Sequence, residues 1–189
     1  MEILIKEEYD ISKDRISGKI RRGSIFIHPT DTIYGLGCSA IDSLAVTRLR
    51  ELKGRVSKPF SVIAPSKDWI YENCAITENA DRWIRQLPAP LTLILRTKNS
   101  EVAPEVAPGI KTIGVRIPAH WISDMVADLG FPIVTTSANI VSGDFMTSLD
   151  DLESELKPGI DFVLYEGEKK GRPSKIIDLS EESLQVIER

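Results

Sequence analysis

The sequence predicts an α/β fold, a mostly apolar sheet layered with helices. Three observations carry that expectation. Short apolar runs alternate with helical patterns along the whole chain of 189 residues, as when strands and helices pack in layers. Helix punctuation recurs between them, with Gly23 and Gly130 as stops and Asp42 as a start. Apolar residues make up 42% of the chain and charged ones 28%, enough to build a core and too apolar for disorder.

Met1 to Ile5 alternates as a short strand. Ile11 to Arg22 reads as a helix that stops at Gly23, and Ser24 to His28 as a compact strand ended by Pro29. Asp42 caps a helix running to about Lys53, with Leu44, Val46, Leu49 and Leu52 as its apolar stripe. Phe60 to Ala64 is a strand, followed by two short helices near Ser66 to Asn73 and Thr77 to Gln86. Leu91 to Arg96 is a buried strand and Ile113 to Ile117 another. Between them, Asn99 to Lys111 carries Pro104, Pro108 and Gly109 and reads as a mobile loop. Trp121 to Leu129 is helical and Pro132 to Thr136 extended. Ser148 to Leu156 reads as a helix, with Asp150 and Asp151 in its first turn where the dipole favours acids. Asp161 to Tyr165, Lys175 to Leu179 and Leu184 to Ile187 complete the strands. No repeat or low-complexity segment interrupts the pattern, so one domain is expected over residues 1–189.

Composition narrows the function. The net charge of −4 excludes a chain that is a polyanion binder as a whole, so a nucleotide or RNA site has to come from a local basic cluster. The N-terminal "MEILIKEEYD" is too short and acidic for a secretory h-region or a membrane span. With two cysteines, Cys38 and Cys74, the plain expectation is a reducing cytoplasm. Neither these nor His28 and His120 sit at metal-ligand spacing, so no metal site is expected, and the two histidines read as structural.

Two phosphate-binding patterns fail. Gly35-Leu36-Gly37-Cys38-Ser39-Ala40 has the letters of a dinucleotide fingerprint, but its first glycine stands well beyond the strand end at His28 and no acidic partner follows in the right context. Gly18-Lys19 lacks the upstream glycine of a phosphate loop.

Other clusters hold together. In "PTDTIYGLG", Thr30, Thr32 and Tyr34 alternate and share a face if the segment is extended, offering hydroxyls to a small polar ligand. Gly35 and Gly37 then allow a sharp turn or close approach to a ligand, although turn chemistry alone also accounts for the Pro, Asp and Gly. Lys53, Arg55 and Lys58 place three cations in a loop between a helix end and a strand start, a fork and two point charges suited to phosphate or carboxylate. Thr135, Thr136, Ser137 and Asn139, then Ser142-Gly143, follow a buried strand, where open α/β sheets bind ligands. Arg116 ends an apolar strand, either as a solvated terminus or as an anion contact, and Gly171-Arg172-Pro173-Ser174-Lys175 is a further polar turn. No nucleophile–base pair appears among these groups. Hydroxyl donors with cations are the profile of an enzyme that acts on phosphates by positioning and charge stabilisation.

Six blocks in order, "PTDTIYGLG", "KGRVSKPF", "PAPLTLIL", "TIGVRIPAH", "TTSANIVSG" and "PSKIIDL", resemble the YrdC/Sua5 family, the threonylcarbamoyl-AMP synthases of tRNA modification. The resemblance runs from about Arg15 onward. It implies a single open, twisted, mixed sheet with flanking helices and a central basic cavity. It implies L-threonine, bicarbonate and ATP with Mg²⁺ as substrates, and threonylcarbamoyl-AMP and pyrophosphate as products. It also implies a separate transferase complex that carries the group to A37 of tRNA. By carry-over, Lys53 and Arg55 would be catalytic. They would hold bicarbonate and the ATP phosphates with Lys58, Thr112, Ser137, Asn139 and a late Arg189, while Thr30, Thr32, Tyr34, Arg116, Thr135 and Ser174 would receive threonine. Arg116 would meet either the threonine carboxylate or a phosphate, and Asp31 would assist through water. The chain departs from the family pattern at Lys175, at Ala89 and at Ile63-Ala64. Two other functions fit the resemblance: a nucleotide- or double-stranded-RNA-binding paralogue without synthase activity, and the carbamoyltransferases that share this domain but add long extra ones.

Overall fold

The computed structural model describes residues 1–55, 57–99, 101–140, 144–181 and 185–187. Ser142, Gly143, Leu184 and Arg189 of the sequence reading lie outside them. Among the described residues ten strands form one open mixed sheet: β1 (Glu2–Leu4), β2 (Phe26–His28), β3 (Gly35–Gly37), β4 (Ser61–Ile63), β5 (Leu91–Arg96), β6 (Thr112–Arg116), β7 (Ile133–Ser137), β8 (Phe162–Leu164), β9 (Lys175–Asp178) and β10 (Gln185–Ile187). Their order across the sheet is β1-β8-β2-β3-β7-β4-β6-β5-β9-β10. The α-helices among the described residues are α1 (Lys6–Ile11), α2 (Lys13–Arg21), α3 (Ser43–Lys53), α4 (Lys67–Asn73), α5 (Glu78–Ile84) and α6 (Ile122–Leu129).

Period-two alternation divides the strands between two cores. Ile27, Val62, Val134 and Val163 face the larger core, which Ala45, Val46 and Leu49 of α3, Trp69 and Ile70 of α4 and Ala80 and Ile84 of α5 complete. Their neighbours Phe26, Ile63, Ile133 and Phe162 face a second core with Tyr9, Ile16, Ile20, Ile122, Met125 and Val126 of α1, α2 and α6. Phe26 stacks on Phe162 at 5.0 Å between ring centroids. Two residues along from Ile63 and Ile133 the same face turns polar, with Ser61 lying opposite both Gly114 and Thr135. That polar half-face is the floor of the site.

Local chemistry explains most of the boundaries. The Asp42 carboxylate accepts from Leu44 N and Ala45 N and starts α3, a cap worth about 1 kcal/mol. Ser66 and Thr77 do the same for α4 and α5. Gly130 takes the left-handed conformation that ends α6.

Several expectations are corrected. The first helical region starts earlier, as α1 and α2 rather than one helix from Ile11, because Glu8 ties back to Ile5 N at 3.0 Å and starts a turn too polar to show a stripe. Leu44 is 78% exposed, and Ala45 takes the buried position instead. Ser148 to Leu156 makes only a 3-10 turn at Leu149–Asp151. There the Asp151 carboxylate accepts from Thr147 N and Ser148 N, each at 2.9 Å, and so competes with helical pairing. The expected mobile loop is packed: it carries a 3-10 turn at Pro104–Val106, buries Ala103 and Val106, and accepts Phe60 N on Val106 O at 2.8 Å.

Gly35 and Gly37 are strand residues, and their bareness admits His28 at Gly35 and the Val134 carbonyl at Gly37. A Cβ on Gly35 would stand 2.7 Å from His28 Cε1, and one on Gly37 2.5 Å from Val134 O. The fully buried imidazole donates from Nδ1 to Pro29 O at 3.2 Å. Burial drives its pKa down to about 3, against the pull of that carbonyl and aided by the charges of Arg116 and His120. The unfolded chain therefore binds a proton that the folded one refuses, and stability falls as pH drops from about 6.5 towards 3. Denaturant melts between pH 6 and pH 4 should show a His28→Asn variant with an acid slope shallower than wild type by about 1.4 kcal/mol per pH unit. Equal slopes would contradict the neutral buried imidazole.

Candidate active site

A cavity of about 40 Å³ opens on the polar half-face, lined by Thr30, Thr32, Ser61, Thr92, Arg116, Thr135 and Ser174 among others. By that measure a water needs about 10–15 Å³, so the space suits the polar atoms of a small molecule rather than a whole nucleotide. Ser61 of β4, Thr92 of β5, Arg116 of β6 and Thr135 of β7 share one face of the sheet and line the cavity. Ser174 precedes β9 and shares a 2.7 Å hydrogen bond with Thr92.

The turn after β2 forms the facing wall. Thr32 N donates to Thr30 Oγ1 at 3.1 Å, a local turn rather than the extended segment expected from alternation. The two hydroxyls meet at 2.9 Å, and Thr30 Oγ1 also donates to Ile33 O. Tyr34 is among the lining residues, but its ring is buried in the larger core and its hydroxyl is committed elsewhere: it donates to Gly167 O at 2.6 Å and accepts from Glu166 N. Burial raises its pKa to about 12.

Arg116 is the cation on the cavity floor. Its guanidinium donates to Asp31 Oδ1 at 2.6 Å in an ion pair whose side chains are 7% and 9% exposed, and reaches Thr32 Oγ1 at 3.4 Å. Asp31 also accepts from Ala119 N. The carboxylate thus touches the arginine directly, and breaking such a buried pair costs about 3–5 kcal/mol.

The second set of expected residues gathers at the carboxyl end of β7, beside the cavity. Lys53 is the last residue of α3, not a loop residue, and is 3% exposed. Its ammonium donates to Ser137 O and Asn139 O, both at 2.6 Å, and to Asn139 Oδ1 at 3.2 Å. Burial lowers its pKa to about 8, helped by the charge of Arg55 and opposed by Glu153. Ser137 donates to Asn139 Oδ1 at 2.5 Å. Arg55 donates to Thr136 Oγ1 at 3.3 Å and to the carbonyls of Lys58 and Pro59, and packs over Phe60. Ser137 and Thr136 line the cavity; Lys53, Arg55, Lys58 and Asn139 do not. The expected basic cavity is therefore a hydroxyl-rich one with a single lining cation among the described residues, flanked by further cations.

Other expectations fall away from the site. Thr112 stands at the opposite end of β6 from Arg116 and does not line the cavity. Lys58 and Lys175 are exposed. Arg189 is outside the described residues. Conversely, Ser61 and Thr92 were missed, although alternation in "SVI" and "LTLILR" marks them as facing away from Val62 and Leu93. Arg50 was missed as well. It is buried in α3, donates to Glu105 O at 2.5 Å, Arg55 O, Lys58 O and Val106 O, and so bolts the Arg55–Pro59 loop in place.

With this geometry in hand, comparison with known proteins is specific. The family model Sua5_yciO_yrdC, described as telomere recombination, matches residues 18–189. A Pyrococcus abyssi protein named threonylcarbamoyl-AMP synthase is 37% identical over 186 residues, covering 95% of this chain and 54% of its own length. A putative threonylcarbamoyl-AMP synthase of Methanocaldococcus jannaschii is 31% identical over 97% of this chain and 88% of its own length. The crystal structure of P. abyssi Sua5 complexed with L-threonine superposes with a TM-score of 0.88 at 30% identity, covering 98% of this chain and 56% of that one. The chain thus spans little more than half the length of the P. abyssi relative. Since the matched residues include every strand that contributes to the cavity, the chain belongs to the Sua5/YciO/YrdC family.

Proposed function

We propose that this chain is an L-threonylcarbamoyladenylate synthase, joining L-threonine, bicarbonate and ATP and releasing pyrophosphate. The observation that carries the reading is Lys53 Nζ at 2.6 Å from both Ser137 O and Asn139 O. Those contacts bring two motifs far apart in sequence to one strand end, next to a small hydroxyl-lined cavity. The relatives named as synthases and the threonine complex of P. abyssi Sua5 support the same substrates.

In this reading threonine occupies the cavity, with its carboxylate toward Arg116 and its polar atoms among Thr30, Thr32, Thr135 and Ser174. Its amine condenses with bicarbonate to a carbamate and water. A carbamate oxygen then attacks the α-phosphorus of ATP, the bond to the β-phosphate oxygen breaks, and pyrophosphate leaves. An anion attacking an anion needs fixed positive charge nearby. Lys53 supplies it: its three neutral acceptors, Ser137 O, Asn139 O and Asn139 Oδ1, orient the ammonium without neutralising it, and with a pKa near 8 it is about 90% charged at pH 7. Arg55 adds a planar fork for phosphate oxygens. ATP arrives as its magnesium complex. Among the described residues no group of three or more His, Cys, Asp or Glu is set to hold a metal; the hydroxyl and cation donors suit the triphosphate oxygens, and the ion would be carried in on the nucleotide. The product passes to tRNA through a separate transferase. No described helix is long and apolar enough to cross a membrane.

Omitting each substrate in turn should test the chemistry. Pyrophosphate release is expected only when threonine, bicarbonate and ATP are all present; equal release without threonine would refute the proposal. Replacing Lys53 with Met should lower kcat/KM by about 10²–10³, as for loss of one transition-state donor. In wild type kcat/KM should also fall as pH rises through about 8, when the ammonium deprotonates. A Lys53→Arg enzyme should lack that alkaline limb, because a guanidinium stays charged; a limb unchanged by the substitution would remove Lys53 from this role.

A further inference from the structure

The segment from Glu166 to Pro173, between β8 and β9, lies across the Thr30–Tyr34 turn and is fastened to it repeatedly. Tyr34 Oη holds Glu166 N and Gly167 O. Gly171 passes so close to Thr32 that a Cβ there would stand 2.1 Å from Thr32 O. Lys169 Nζ donates to Thr30 O at 2.8 Å, and Lys169 N to Thr147 O. The Lys169 ammonium also pairs with Glu166, whose carboxylate accepts from Trp121 Nε1 at 2.8 Å and from His120 Nε2 at 2.9 Å. Burial works to raise the Glu166 carboxyl pKa, but bonds from Lys169, Trp121 and His120 outweigh it and hold it below the usual range. Glu166 therefore stays ionised and keeps Lys169 in place.

We infer that Lys169, clamped by Glu166, is a positioning residue for the amino-acid end of the cavity. This rests on the threonine reading above. Lys169 does not line the cavity, yet its ammonium fixes the Thr30 carbonyl from behind. The Thr30 hydroxyl is in turn bonded to that of Thr32, and Thr32 to Arg116. A charge outside the cavity thus sets the turn whose two threonines line it. Without the ammonium, Thr30 O loses a charge-assisted partner and the turn that carries the hydroxyl pair loses a tether.

Calorimetric titration of threonine and of ATP into wild type, Lys169→Met, Lys169→Arg and Glu166→Gln tests this. Lys169→Met should raise the threonine Kd by about tenfold or more and leave the ATP Kd within about twofold. Lys169→Arg should restore most of the threonine affinity. Glu166→Gln should weaken threonine in the same direction, which keeps the test available if the Met variant fails to fold. An unaltered threonine Kd in both the Met and Gln variants would overturn the inference, as would threonine and ATP Kd rising by the same factor, the sign of a merely loosened fold. A wild-type chain that binds no threonine overturns the substrate reading and this inference together; wild-type binding with unaltered variants overturns the inference alone.

Discussion

Burying an ammonium is costly unless its protons are taken up, and the Lys53 ammonium is taken up by the carbonyls that end β7. Much of the site follows from that constraint. To meet Ser137 O and Asn139 O, α3 has to run to the end of β7, which fixes the helix against the larger core through Val46 and Leu49. The same contact turns the chain after β7, so that Ser137 and Asn139 bond to each other. One turn back in α3, Arg50 gathers the carbonyls of Glu105, Val106, Arg55 and Lys58 and holds the loop carrying Arg55. Two basic side chains of one helix thus act as fasteners for backbone, and the charge they bring is held still.

The cavity arises from a different constraint. A strand cannot bury one residue without turning the next the other way. With Val62, Val115 and Val134 in the larger core, their neighbours Ser61, Gly114 and Thr135 must face the opposite side, and α6 covers that side only as far as Ile63 and Ile133. Leaving the remainder uncovered is tolerable because its residues are hydroxyls and an arginine whose charge Asp31 balances. The resulting hollow is polar and positioned by rigid strands.

Much of this was legible in the sequence, and the failures have physical causes. Capped helices and long apolar strands were read correctly, because Asp42, Ser66, Thr77 and "LTLILR" carry strong local signals. The 3-10 turn at Leu149–Asp151 was mistaken for a helix because Asp151 favours a helix start and a side-chain turn alike. The motif residues were found, but their partners were not. Nothing in "PTDTIYGLG" reveals that Tyr34 spends its hydroxyl on Gly167, or that Gly35 makes room for His28 and Gly37 for the Val134 carbonyl. Those are long-range contacts, and a linear pattern shows which residues are unusual without showing what they touch. Arg50 escaped for the same reason, being an ordinary helical arginine until its carbonyl partners are known.

The hydrogen bond between Thr92 and Ser174 spans 82 positions, and the opposite wall of the same cavity starts at Thr30. A growing polypeptide on the ribosome therefore has strands and cores to assemble long before it has a pocket. The cavity is closed late in synthesis, when the segment ahead of β9 emerges and docks, so a shortened product has its helices and cores without the wall that Ser174 supplies.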